Sequence, residues 1–300
     1  MSLPSSPTTP TLDLFTEPPD YYPPTPPATT TTYTTRAHKL TLRLAPRNPL
    51  WGHLLWNASR VVAEYLEHHA ATLVQGKTVL ELGAGAGLPS LVCALYGAEK
   101  VVVTDYPDEE LVGCLRWNVG QLTDGNVSDG AGGADTGVST STSANGQEDR
   151  EEQNSGSPSQ RRKLDCDITV QGFLWGADPS PLLASPSTRS GFDLLILADI
   201  LFNHSQHGAL LSTLQATLKR DVEARALVFF TPYRPWLLEK DLDFFEKARE
   251  KGMKVTKLFE RVLEEVMFPD DRGDEMLRRT VFAYEVRWPG EGDLMCGIDA

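Results

Sequence analysis

Apolar residues along this chain recur at two spacings, and the alternation between them predicts the fold. Leu54, Leu55, Ala58, Val61, Val62, Tyr65 and Leu66 recur at helical spacing, which predicts an amphipathic helix. The run Thr78-Val79-Leu80-Glu81-Leu82 reads as a buried strand, and a helix opens near Leu88-Pro89, where proline suits a first turn. Val101-Val102-Val103-Thr104 is a second strand, followed by helix over residues 108–119. Ile168-Thr169-Val170 is a short strand, and residues 192–198 form a strongly apolar one. Helix over 207–219, strand over 226–230 and helix over 238–251 come next, before two last strands near 255–258 and 280–286. Such alternation implies a parallel sheet covered on both faces. No helix-length pattern separates the last two strands, so the final one is expected to return antiparallel. The expected architecture is α/β: a Rossmann-like sheet of seven strands, mostly parallel, with a terminal antiparallel strand and helices on both faces.

Two stretches break the pattern. Residues 1–47 are dominated by Pro and Thr and are expected to be extended or disordered, since they cannot bury enough apolar surface to fold alone. Within them the island Leu12-Asp13-Leu14-Phe15 and the alternating Leu40, Leu42 and Leu44 can dock onto a neighbouring domain. A second low-complexity block, about 120–162, reads as a surface insertion, tolerated because loop-closure cost grows only logarithmically with length. One domain over 48–290, with a tail over 291–300, is the expected organisation.

Composition narrows the partners. A formal net charge of −13 makes a nucleic-acid backbone a poor partner and fits a basic protein or a cationic small molecule better. The cysteines, Cys93, Cys114, Cys166 and Cys296, show no C-x-x-C spacing, so neither a disulfide framework nor a zinc site is expected, and a reducing, cytoplasmic setting is. No stretch approaches the roughly 18 apolar residues of a membrane span. A soluble monomer without membrane partners is expected.

The chemistry concentrates at Glu81-Leu82-Gly83-Ala84-Gly85-Ala86-Gly87-Leu88-Pro89, directly after a buried strand and opening a helix. Glycines there permit a tight turn and close approach of backbone to a ligand. A dinucleotide fingerprint needs Gly at position 88, where this chain has Leu, so no pyrophosphate need be cradled. The methionine part of S-adenosyl-L-methionine fits better. Asp105 ends the next strand, 22 residues after Gly83, where an acid accepts hydrogen bonds from ribose hydroxyls. Gly76-Lys77-Thr78 mimics a phosphate-binding loop, but position 71 is Ala and the triplet precedes its strand. His204 and His207 have no further ligand cluster and read as solvent-facing residues at a helix start, so no metal is expected.

Four segments carry a resemblance to a known family: Pro49-Leu50-Trp51-Gly52-His53-Leu54-Leu55-Trp56-Asn57-Ala58, the Glu81 to Pro89 turn, Thr104-Asp105-Tyr106-Pro107, and Ala198-Asp199-Ile200-Leu201-Phe202-Asn203-His204. Together with Phe230-Thr231-Pro232-Tyr233-Arg234-Pro235, they resemble the class I lysine methyltransferases, and within them the fungal protein N-terminal and lysine methyltransferases acting on translation elongation factor 1-alpha. The resemblance covers about residues 10–118 and 165–288. It implies cofactor contacts at Trp56, Gly83, Ala84, Gly85, Asp105, Trp175 and Ala198. Trp56 would offer an aromatic wall near the methionine end, and Trp175 would lie beside the adenine or serve ordinary packing. On the acceptor side it implies Asp199 and, three residues on, an aromatic that is usually Tyr and here is Phe202. Asp199 either orients a cationic amine or caps a helix.

The reaction this implies is in-line displacement of a sulfonium methyl by a neutral amine. An α-amino group, with a pKa of about 7.7–8.0, reaches that form more easily than lysine at about 10.4. The acceptor is expected to be the N-terminal glycine and adjacent lysine of translation elongation factor 1-alpha. A small-molecule, nicotinamide-like acceptor on the same fold remains open, as does a non-catalytic cofactor-binding scaffold.

Overall fold

The computed structural model describes residues 27–46, 50–123, 128–129, 164–290 and 293. The Leu12–Phe15 island, nearly all of the insertion and most of the C-terminal tail lie outside these described residues.

The chain opens with a hairpin, β1 (Thr29–Thr34) and β2 (His38–Leu44), then α1 (Asn57–His68) and the single turn α2 (Ala70–Leu73). Next come β3 (Thr78–Leu82), α3 (Leu88–Leu95), β4 (Lys100–Asp105), α4 (Glu109–Thr123) and the two-residue β5 (Ser128–Asp129). The second half holds β6 (Asp167–Gly172), β7 (Leu194–Ala198), α5 (His207–Thr217), β8 (Arg225–Phe230) and α6 (Leu238–Glu250). It ends with β9 (Lys254–Val262), α7 (Glu275–Arg278) and β10 (Thr280–Arg287).

Seven strands form one sheet in the order β6-β4-β3-β7-β8-β10-β9. The first five are parallel, and β10 runs antiparallel to both neighbours. The last strand in the sequence therefore sits between β8 and β9 rather than at the edge. Every residue of β3 and β7 is buried, which explains why both read as continuous apolar runs. Their alternate side chains divide between two cores. Val79 and Ile196 join the layer beneath α1, α3 and α4, while Leu80 and Leu197 join the layer beneath α5 and α6.

The hairpin lies outside this sheet and docks through the period of two: Leu40, Leu42 and Leu44 are buried while Lys39, Thr41 and Arg43 are exposed. Each such side chain contributes about 1.5–3 kcal/mol of burial. Glu67 on α1 fixes the hairpin turn, accepting the Arg36 N–H at 2.7 Å and the Tyr96 hydroxyl.

The topology decides where a ligand can bind. From β3 the chain crosses to β4 on one side, while β7 pairs with β3 on the other. The carboxyl ends of β3, β4 and β7 thus flank a crevice at the switch point of the sheet, the usual ligand site of this architecture. Among the described residues no helix is long and apolar enough to cross a membrane.

Candidate active site

A cavity of about 500 Å³ opens at that crevice. Its lining includes all nine residues singled out from the sequence: Trp56, Gly83, Ala84, Gly85, Asp105, Trp175, Ala198, Asp199 and Phe202. They come from five segments spread over nearly 150 residues, and the sheet brings them together.

The glycine turn forms the floor. Gly83 and Gly85 have φ of +67° and +56°, the left-handed region that side chains disfavour. A Cβ on Gly83 would lie 2.9 Å from Ile200 and 3.2 Å from Trp175, so the indole is laid directly against the turn. A Cβ on Gly85 would meet nothing within 4 Å, which leaves open space above that residue. The turn is pinned from below: the Ala84 N–H donates to the Thr104 carbonyl at 3.0 Å and the Gly87 N–H to the Ala84 carbonyl at 2.8 Å.

Asp105 stands at the end of β4 beside this turn. Its Oδ2 accepts the Gly85 N–H at 2.6 Å and its Oδ1 the Tyr106 N–H at 2.6 Å. A carboxylate has about four lone-pair sites, so each oxygen retains one for a ligand hydroxyl. Burial raises its pKa while the two N–H groups pull it back. Open space over Gly85, a part-occupied carboxylate and a cavity inside the usual range of about 300–1,000 Å³ all fit an adenosine-bearing cofactor.

The opposite wall centres on Asp199, which follows β7 with φ of +54°, an unusual conformation for a side-chain-bearing residue. Four hydrogen bonds hold it there. Its N–H donates to the Phe229 carbonyl at 2.8 Å, Oδ1 accepts the Thr231 N–H at 2.7 Å, and Oδ2 accepts the Ala58 N–H at 2.9 Å and the Tyr233 hydroxyl at 3.2 Å. Of the two roles open to it from the sequence, the helix cap is the one this geometry displays: Ala58 lies in the first turn of α1, whose own N-cap residue, Trp56, supplies no side-chain bond. Burial pushes the carboxyl up to about 7.

Trp56 stands at the N-cap rather than on the helix face. Its ring sits 5.2 Å from Tyr233, 6.0 Å from Phe268 and 6.3 Å from Trp51, edge-on in each case. Phe202 is 45% exposed at the mouth, as is Trp51, and Tyr106 is 51% exposed there. The cavity therefore opens through a rim of half-exposed rings.

Several contributors were not singled out from the sequence. Phe268, which belongs to no spaced motif, completes the aromatic cluster together with Tyr233 from the Phe230–Pro235 segment. Glu81, fully buried and pushed up to about 8, accepts the Ser90 N–H at 3.0 Å and the Ser90 hydroxyl, joining the end of β3 to the start of α3. One expectation is corrected. His207 is buried, 1% exposed, with Nε2 at 2.7 Å from the Leu201 carbonyl, because the helix start packs inward; it does not face solvent. His204 pairs instead with Asp241 at 2.7 Å. Among the described residues no group of side chains could hold a metal ion.

Residues 35–129 match a family described as lysine methyltransferase. The chain is 42% identical over 285 residues to the protein N-terminal and lysine N-methyltransferase efm7 of Emericella nidulans, covering 94% of this chain and 97% of that one. It is likewise 42% identical to the efm7 protein of Neurospora crassa, over 93% of this chain and 89% of that one. Among solved structures, the Thermus thermophilus 16S rRNA methyltransferase RsmC, in complex with AdoMet and guanosine, aligns with a TM-score of 0.47 at 16% identity, over 89% of this chain and 52% of that one. On sequence, the chain belongs to the protein N-terminal and lysine N-methyltransferases, a family of S-adenosylmethionine-dependent enzymes.

Proposed function

We propose that the chain methylates the N-terminal glycine and the adjacent lysine of translation elongation factor 1-alpha in the cytoplasm, acting as a monomer, with Asp105 and the Gly83–Gly85 turn holding the cofactor. The observation that carries this reading is the cavity itself. One end presents a free-sided glycine turn and a carboxylate, and the other opens to the surface through aromatic rings.

Bound there, S-adenosylmethionine supplies an electrophilic methyl on a sulfonium. The chain's own residues do the rest by placement. Asp105 takes the ribose hydroxyls, Trp175 and Ala198 bound the adenine side, and Gly85 lets the backbone approach closely. Trp56 and Phe202 flank the opening where the amine arrives. Asp199 has both oxygens committed to backbone N–H groups and acts by fixing the first turn of α1, and Trp56 with it, against the Thr231-Tyr233 turn. No side chain is needed as a strong base for an α-amine, since its pKa of about 7.7–8.0 leaves a usable neutral fraction. Orientation of the two reactants supplies most of the acceleration.

A surface-open, aromatic-rimmed mouth favours a peptide terminus over a small molecule, which calls for a closed pocket. Incubation with labelled S-adenosylmethionine and a cell lysate separates the readings. Label in one protein band supports this one. Label in a small-molecule fraction supports a nicotinamide-like acceptor, and no label at all supports a non-catalytic scaffold.

A further inference from the structure

The N-terminal hairpin lies outside the seven-strand sheet, yet one side chain joins it to the glycine turn. Asn118, on α4 and 1% exposed, uses its carboxamide as a peptide group would. Its Oδ1 accepts the Arg43 N–H at 2.7 Å and its Nδ2 donates to the Arg43 carbonyl at 2.9 Å. Both backbone groups of Arg43 are thereby satisfied on the side of β2 away from β1, where β5 pairs only with His38 and Lys39. The second N–H of the same Nδ2 donates to the Ala86 carbonyl at 2.9 Å, inside the turn that floors the cavity. A carboxamide offers two donors and one carbonyl oxygen, and all are engaged.

The rest of that helix face works in the same direction. Leu115, one turn earlier, lies under Gly87, with its Cδ2 only 2.9 Å from where a Cβ would sit. Cys114 Sγ donates to the Arg43 carbonyl at 2.9 Å. Leu111 lies against Gly52 on the cavity rim, and beside it the Ala45 N–H, just past β2, donates to the Gly52 carbonyl at 3.1 Å. Positions 111, 114, 115 and 118 form one stripe at helical spacing.

We propose that Asn118 is a positioning residue for S-adenosylmethionine, and that through it the hairpin is part of the cofactor site. The proposal rests on the reading of the Gly83–Gly87 turn as that site. Hairpin docking and cofactor binding each hold the Ala86 carbonyl in one place, so by linkage each strengthens the other. Isosteric Asn118→Leu removes all three bonds, while Asn118→Asp keeps the acceptor and sets a carboxylate against two carbonyls.

The test joins these variants, in the full chain, with hydrogen exchange on the unaltered protein. Both variants are expected to bind S-adenosylmethionine at least ten-fold more weakly by calorimetry, to show a smaller cofactor-induced rise in Tm, and to raise KM for the cofactor by more than they lower kcat. In the unaltered protein, adding S-adenosylmethionine is expected to slow exchange over residues 38–44, which do not line the cavity. That arm holds even where a variant fails to fold. Unchanged exchange over 38–44, or folded variants with unaltered affinity, overturns the proposal. Asp105→Ala serves as the control: if it binds the cofactor normally, the site reading fails and the tether with it, whereas weak binding by Asp105→Ala beside normal binding by the Asn118 variants sinks the tether alone.

Discussion

Asp105 Oδ2 and the Gly85 N–H lie 2.6 Å apart, so the carboxylate ending β4 and the turn following β3 form a single unit. The acid aligns the turn before any ligand arrives, and it lines the cavity with lone pairs to spare. Replacing it removes both effects together. Asp105→Ala is expected to weaken S-adenosylmethionine binding by about 1.5–3 kcal/mol, the worth of hydrogen bonds to a charged group. That corresponds to roughly ten- to a hundred-fold in Kd, read by calorimetry. Unchanged affinity removes Asp105 from the site.

Asp199 reaches 141 positions back along the chain to hold Ala58. Asp199→Ala leaves the Ala58 and Thr231 N–H groups without their partner and is expected to cost about 1–3 kcal/mol of stability, with a large loss of methylation. Asp199→Asn can satisfy one of those N–H groups with its single oxygen and should fall between. Tyr233→Phe loses the 3.2 Å bond but leaves both backbone N–H groups on Asp199, and should cost no more than about 1 kcal/mol. Urea titration of the three variants gives this order if Asp199 works as a cap. Equal stability for Asp199→Ala and the unaltered protein, with lost turnover, assigns it to the acceptor amine instead.

Glu81 and Asp199 both hold their protons to higher pH when folded, at about 8 and about 7, because burial disfavours the charged forms. Unfolded, they ionise near 4.5 and 3.8. Between those limits the folded state binds more protons, so stability falls as pH rises. The contribution is complete below about pH 4 and lost as pH climbs through 7 to 8. Urea unfolding at pH 6 and pH 9 should show that fall, and Glu81→Gln, which keeps an oxygen for Ser90 without the charge, should reduce it. An identical pH dependence in both proteins would show that Glu81 does not titrate in this range.

The strand–helix alternation was legible because β3, β4, β7 and β8 are buried on both faces and α1 carries a continuous apolar stripe. Gly83, Gly85 and Asp105 were legible because a turn between strand and helix, with an acid at the neighbouring strand end, is a local pattern. What could not be read depends on distance in sequence. The apolar period of α1 extends back to Leu54, yet the helix begins at Asn57, since the acceptor for its first-turn N–H comes from Asp199, just past β7. Asn118 sits in an ordinary helical stretch, and nothing there shows that its carboxamide meets both Arg43 and Ala86. The hairpin's only signal was the alternation of Leu40, Leu42 and Leu44 within a Thr- and Pro-rich composition that points to disorder. His207 read as surface because a polar side chain at a helix start usually is; the Leu201 carbonyl supplies the partner that permits burial.

If the rim of Trp51, Trp56 and Phe202 admits a protein N-terminus to a methyl donor held on Gly85 and Asp105, the methyl groups belong at the start of the substrate chain. The direct measurement is mass spectrometry of translation elongation factor 1-alpha, purified from cells lacking this enzyme and incubated with the full chain and S-adenosylmethionine. Methyl groups on the N-terminal glycine and the adjacent lysine, absent when Asp105→Ala replaces the unaltered enzyme, are the expected result. Methyl groups at internal lysines alone, or none on the factor, would contradict it.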